Sequence, residues 1–249
     1  MKHSQSKHRG GFTLWELLAI LAVLALLAAL LLPALAQAKK KSSRLGCVYN
    51  LKSIGVAVRI WAGDNGDRSP DQVPVSEGGL ANTNATKAPA WAAFQFFQVM
   101  SNELNTPKIL CCPQDPERWP AGPIGYGGFE SGSPRGYFGN LVVSYFAGCN
   151  TAYDRPQMIV SGDRNIHGPT PTDSNDGYGF SPTNGSGARV VFGTNPAKVG
   201  WTSRIHRNLG NVAFADGSVQ QLSSAGLLQA FANSGDTNTI PGANVIVFP

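Results

Sequence analysis

Three side chains in the C-terminal half could do acid–base or metal chemistry if the fold brought them together: Asp163, His206 and Asp216. An imidazole beside carboxylates can pass a proton or help hold a cation. Their local settings favour plainer roles. Asp216-Gly217 separates NVAFA from SVQQL, where a tight hairpin asks for Asp-Gly. His206 sits just upstream, flanked by Arg204 and Arg207, and suits a hydrogen bond to that hairpin. No H-E-x-x-H, G-x-S-x-G or phosphate-cradling loop occurs, so no enzyme is expected. Asp173-Ser174-Asn175-Asp176-Gly177 invites a calcium reading. Its glycine comes one position early for an EF-hand loop, and the bidentate Glu is missing. The stretch itself assigns no calcium ligands.

Four cysteines, Cys47, Cys111, Cys112 and Cys149, allow three complete pairings. Adjacent Cys111 and Cys112 would close a strained ring. The expectation is a bridge from this pair, through Cys112, to Cys149, with Cys47 free or packed on a helix. The alternative is four reduced, buried thiols.

The second chemical signal is one acid. Glu16 stands at the edge of LLAILAVLALLAALLLPALAQA, the uncharged run from Leu17 to Ala38. At about 1.5 Å per residue these residues reach about 33 Å, enough to cross a bilayer core of about 30 Å. A charge near the bilayer centre costs about 2.5–3.5 kcal/mol, so a carboxylate heading a membrane helix is a functional-site hypothesis by default. A positive partner would answer it. A free α-amino group on a neighbouring subunit would serve if the chain were cut after Gly11. A cleavable secretory signal fits less well, because its apolar region is shorter and ends at a small-residue cleavage site. A plain N-terminal anchor is the third reading.

Gly11-Phe12-Thr13-Leu14-Trp15-Glu16-Leu17-Leu18, behind the basic, acid-free MKHSQSKHRGG, resembles the processing site of type IV prepilins and type II secretion pseudopilins. The resemblance implies cleavage after Gly11 by a prepilin peptidase and methylation of the new N-terminal Phe12. It also implies that Glu16 guides subunit docking. Pro33 falls where many such pilins carry a helix-kinking proline, and Trp15 departs from the commoner small or aliphatic residue. Lys/Arg lie on both sides of the span, so a positive-inside count alone does not orient it. The motif implies a cytoplasmic N-terminus and a periplasmic head, because the family's peptidase works on the cytoplasmic face of the bacterial inner membrane.

Behind the apolar run, Leu45, Val48, Leu51, Ile54 (or Gly55), Val58 and Trp61 recur in steps of three and four, one face of a helix. Asp64-Asn65-Gly66-Asp67 stops it. One helix over 12–63 is expected, spanning a membrane in 17–38 and packed on a head formed by 64–249. Within the head, Ala90–Leu104 reads as a short helix. Lys108–Cys112, Leu141–Phe146, Met158–Ser161, Arg189–Phe192 and Asn244–Phe248 read as strands. Asn211–Leu222 reads as a hairpin with a two-residue turn that sets Phe214 opposite Val219. Ser69–Lys87 and His167–Gly187 read as loops.

Of the 249 residues, only 14% are charged, against about 25% in ordinary soluble domains, and 29 are Gly and 17 Pro. A helix-rich soluble enzyme and a coiled coil do not fit. Residues 1–59 hold nine Lys/Arg and one acid; residues 60–249 hold eleven against fourteen. The basicity belongs to the N-terminus, and a mildly acidic head is not a nucleic-acid binder.

His206, nine intervening residues and Asp216-Gly217 resemble the C-terminal H-x9-D-G signature of a large bacterial family of prepilin-type proteins. Trp61-Ala62-Gly63-Asp64-Asn65, Cys112-Pro113-Gln114-Asp115 and Ser161-Gly162-Asp163-Arg164 look like its recurring landmarks. The resemblance implies an α+β, pilin-like fold with a long N-terminal helix on a small antiparallel sheet. It implies partners in other pilin or pseudopilin subunits and no known activity for the head. A different reading is a membrane-anchored polysaccharide-binding module that uses Trp91, Trp119 or Trp201 as stacking platforms.

Overall fold

The computed structural model describes residues 11, 13–81, 92–118, 139–168, 189–196, 199–237 and 243–249. The chain divides into two compact units, Met1–Ser42 and Ser43–Pro249. The first helix, α1 (Leu14–Asp64), is 51 residues long and carries Pro33 inside it.

In the first unit, Leu14–Pro33 is apolar enough to cross a membrane, with a mean hydropathy of 2.6 and no residue buried within the structure. Its start is capped reciprocally. The Thr13 hydroxyl oxygen accepts the Glu16 N–H at 3.3 Å, and the Glu16 carboxylate accepts the Thr13 N–H at 2.9 Å. This is the capping box that T-x-x-E ahead of an apolar run signals.

In the second unit, α1 buries Cys47, Leu51, Ile54, Val58 and Trp61. Steps of four, three, four and three keep them on one face. The expected stripe shifts at its start: Leu45 is exposed, and Cys47 takes the inward position. Each large apolar side chain withdrawn here contributes about 1.5–3 kcal/mol. The helix stops where expected. Gly66 (φ 72°) and Asp67 (φ 56°) turn left-handed, and the Asp67 N–H returns to the Ala62 carbonyl at 2.8 Å.

Two short helices follow, α2 (Ala93–Val99) and α3 (Ser101–Leu104), matching the helix expected near Ala90–Leu104. The strands are β1 (Tyr145–Gly148), β2 (Ile159–Asp163), β3 (Ile166–His167), β4 (Arg189–Val191), β5 (Gly200–Trp201), β6 (Gly210–Phe214), β7 (Val219–Leu222) and β8 (Val245–Val247). Six form an antiparallel sheet in the order β4-β8-β1-β2-β6-β7, and β3 pairs with β5. A helix absent from the sequence reading, α4 (Ser224–Asn233), is capped by the Ser223 hydroxyl accepting the Gly226 N–H.

Alternation along the strands divides the core in two. Tyr145, Ala147, Ala213, Val245 and Val247 face α1 and α2. Phe146, Val212, Phe214, Ile246 and Phe248 face the other way, with Leu227 and Phe231 of α4 and with Trp201. The sheet is therefore the middle layer of three. Trp201 is buried there, so it offers no stacking platform; Trp91 and Trp119 lie outside the described residues.

Three local expectations need correction. Lys108–Cys112 is no strand: Pro107–Leu110 forms a 3-10 turn, begun by Thr106 as cap and by Pro107, whose fixed φ suits the first helical position. The Leu141–Phe146 segment splits into a 3-10 turn, Gly139–Val142, and a strand starting at Tyr145. The hairpin loop has three residues rather than two. Phe214 and Ser218 pair, the Gly217 N–H donates to the Phe214 carbonyl, and only Gly217 is left-handed (φ 82°). That is a type I turn followed by a left-handed glycine. The extra residue sets Val219 opposite Ala213 and puts Phe214 on the other face.

Candidate functional site

The described residues that could do chemistry gather on the α1 face of the sheet, in a buried polar layer. Four separate stretches build it: Cys47 and Asn50 on α1, Cys111 to Arg118 after the 3-10 turn, Asp163 to Asn165 at the end of β2, and the turn that carries His206.

β2 runs two residues further than expected, which carries Asp163 into the sheet opposite Tyr145. The Asp163 Oδ2 accepts the backbone N–H of Asn211 at 2.6 Å and its side-chain amide at 2.8 Å. It also lies 3.3 Å from His206 Nε2. The other oxygen, Oδ1, is buried without a hydrogen-bond partner among the described residues.

His206 is held by a strained turn. His206, Arg207 and Asn208 have φ of 54°, 54° and 62°, three consecutive non-glycine residues in the left-handed region. Each such residue costs about 1–2 kcal/mol. The side-chain amide of Asn165 offsets this by donating to the carbonyls of Thr202 (3.1 Å), Ile205 (2.9 Å) and Leu209 (3.2 Å). The sequence reading missed Asn165; no motif marks a residue that works by reaching three carbonyls about forty positions away. Strain held in this way is a pointer to function. It buries the imidazole with Nδ1 2.6 Å from Gln114 Oε1 and Nε2 3.5 Å from Cys112 Sγ.

The expected bridge between Cys112 and Cys149 does not form. Cys112 is bonded to Cys47, with the two Cα atoms 5.1 Å apart, while Cys111 and Cys149 are free and buried. The reason is geometric. Gly46 leaves room for the Pro113 ring, 3.3 Å from where a Cβ would stand, so the 111–118 stretch lies directly on α1 beside Cys47. Cys149 instead follows β1 and donates its N–H to the Val245 carbonyl. Burial pushes the Cys111 thiol up to about 11 and raises Cys149 as well. Burial, then the Asp163 charge, raises the Tyr145 phenol, whose oxygen accepts from Asn50 at 3.3 Å.

Beside this cluster lies a second buried charge group. Arg164, fully buried, grips Asp115 with two bonds of 2.7 Å and reaches Glu117 at 3.2 Å; Glu117 also contacts Arg204. Three of the four landmark stretches, 112–115, 161–164 and His206, therefore form one layer.

The two halves of the H-x9-D-G signature do different jobs. Asp216 is exposed at the hairpin tip, its Oδ1 accepting the Ser218 N–H at 2.8 Å, and Gly217 supplies the left-handed position. No hydrogen bond or ion pair joins Asp216 to His206 among the described residues. Strand β6, about 17 Å of extended chain, runs between them. Nor is this a hydrolytic triad. Asp163 and Cys112 both face Nε2 rather than opposite ring nitrogens, and Cys112 is tied in a disulfide.

Among the described residues, one group of three His, Cys, Asp or Glu side chains brings donor atoms within 4.8 Å of one another: Cys47, Cys112 and His206. Sulfur and imidazole do not suit calcium. The Asp173–Gly177 stretch lies outside the described residues. At the N-terminal site, Gly11 is exposed and Phe12 is not described. Glu16 accepts both the N–H and, at 2.8 Å, the hydroxyl of Thr13. No protein-family model, curated protein or solved structure matches the chain.

Proposed function

We propose that this chain is a prepilin-like subunit. It is cut after Gly11 by a prepilin peptidase, held in the bacterial inner membrane by α1, and assembled through α1 with like subunits into a type IV pilus or type II secretion pseudopilus. The observation that carries this reading is the continuity of one helix from the Gly11–Glu16 motif, through an apolar stretch long enough to span a bilayer, to a stripe packed in the head's core. Such a helix can store the subunit in lipid and then serve as its packing surface in a filament. Within one subunit, Thr13 satisfies Glu16. In a filament the Phe12 amine of a neighbour would replace that local cap with a charge-assisted contact, stronger in low dielectric.

Glu16→Ala separates assembly from processing. The variant should be cut and methylated like the parent, yet remain in the membrane fraction when sheared filaments are pelleted. Equal recovery of parent and variant in the pellet would contradict the assembly role.

A further inference from the structure

We propose that Cys47, Cys112 and His206 form a zinc-type metal site in the reduced chain, exclusive with the disulfide that the same two sulfurs make when oxidised. The inference is independent of the pilin reading. Their donor atoms lie within 4.8 Å of one another, and all three residues are buried. Two thiolates and an imidazole match a tetrahedral zinc donor set, which places sulfurs at about 2.3 Å and nitrogen at about 2.0 Å from the ion. Such thiolates stand about 3.8 Å apart, a span that Cα atoms 5.1 Å apart allow by side-chain rotation.

Two further observations point to a cation. The tautomer protonated at Nδ1 would donate to Gln114 Oε1, 2.6 Å away, and leave Nε2, 3.5 Å from Cys112 Sγ, free to bind a metal. Metal-bound histidines are oriented by this kind of outer hydrogen bond. Asp163, whose Oδ2 lies 3.3 Å from His206 Nε2, also keeps a fully buried Oδ1 without a hydrogen-bond partner among the described residues. The strained turn at His206 and its Asn165 clasp hold the imidazole in place.

A phosphine reductant and one water convert the disulfide into two thiols and a phosphine oxide. A divalent ion then displaces the two thiol protons and binds the two thiolates. Hydrogen peroxide then takes two electrons from the two thiolates and, with two protons, becomes two waters, while the disulfide re-forms and the ion is released.

The test uses the full-length chain in detergent, carrying Cys111→Ser and Cys149→Ser so that only the bonded pair remains. After phosphine reduction, anaerobic titration with cobalt(II) should reach one equivalent, with tetrahedral d–d absorption and thiolate charge-transfer bands that zinc then bleaches. The oxidised chain should give neither. His206→Ala should weaken binding at least tenfold, and Asp163→Asn about tenfold. Should His206→Ala fail to fold, X-ray absorption of the zinc-loaded parent reads the ligands directly: two sulfurs and a histidine nitrogen are expected. If the reduced chain loses its circular dichroism signal, zinc must restore it. A reduced chain that takes up no stoichiometric cobalt, an absorption edge without sulfur, or undiminished binding in a folded His206→Ala variant would overturn the site.

Discussion

Arg164 carries a charge fully buried inside the head. Its guanidinium and the Asp115 carboxylate are both fully withdrawn from water, so each depends on the other. Removing one partner of such a pair costs about 3–5 kcal/mol, because the other charge is left buried and uncompensated. Arg164→Ala should therefore lower the thermal midpoint of the full chain in detergent sharply, and Arg164→Met with Asp115→Leu should recover most of the loss. A single variant that melts with the parent would show that the pair is not dry. The thiols give a second prediction at this scale. Burial raises Cys111 from 9.0 to about 11. The folded state thus favours the neutral thiol, and this stability is complete below pH 9 and is lost as pH rises through about 11. Cys149 shifts in the same direction. Iodoacetamide at neutral pH should label neither cysteine in the native chain and both after denaturation. Labelling of either one under native conditions would place it on the surface.

At the scale of elements, the sequence was most legible where a period repeated. The three- and four-residue steps from Leu51 to Trp61 gave the buried face of α1, while the Asp-Gly hairpin marked β6 and a short apolar run marked β8. Single-residue geometry was less legible. Whether Asp-Gly closes a two- or a three-residue loop depends on whether Asp216 enters the left-handed region, and it does not. Helix α4 was missed although Ser223 with Leu227 and Phe231 four apart is a signal for it; Gly226 inside the segment weighs the other way. The cysteine pairing depended on which element lies against α1. That followed from Gly46 admitting Pro113, a contact 67 residues apart that no local pattern encodes. The Cys47–Cys112 bond encloses a separation of 65 residues. Unreduced peptide mapping should recover this pair, and Cys47→Ala should cost about 2–4 kcal/mol of stability in thermal melts. Recovery of a Cys112–Cys149 peptide would restore the original expectation.

For the whole molecule, the division of labour is written in charge and hydropathy. Nine of the 20 Lys/Arg fall in the first 59 residues, around and beyond an apolar helix; the remainder of the chain is mildly acidic and folds as a three-layer head. The chemistry of the head is turned inward, in a buried layer that ties α1 to the sheet. The N-terminal motif is turned outward, with Leu14–Pro33 exposed along its length. The proposed storage in lipid and later packing against copies would call for this combination: a stripe of α1 buried in the head and an apolar stretch left exposed. The account rests on where the mature chain begins. Sequencing and mass analysis of the N-terminus of the protein isolated from its native membrane test it most directly. The prediction is a chain that starts at N-methylated Phe12; a mature chain starting at Met1, or at any residue inside the apolar run, would contradict it.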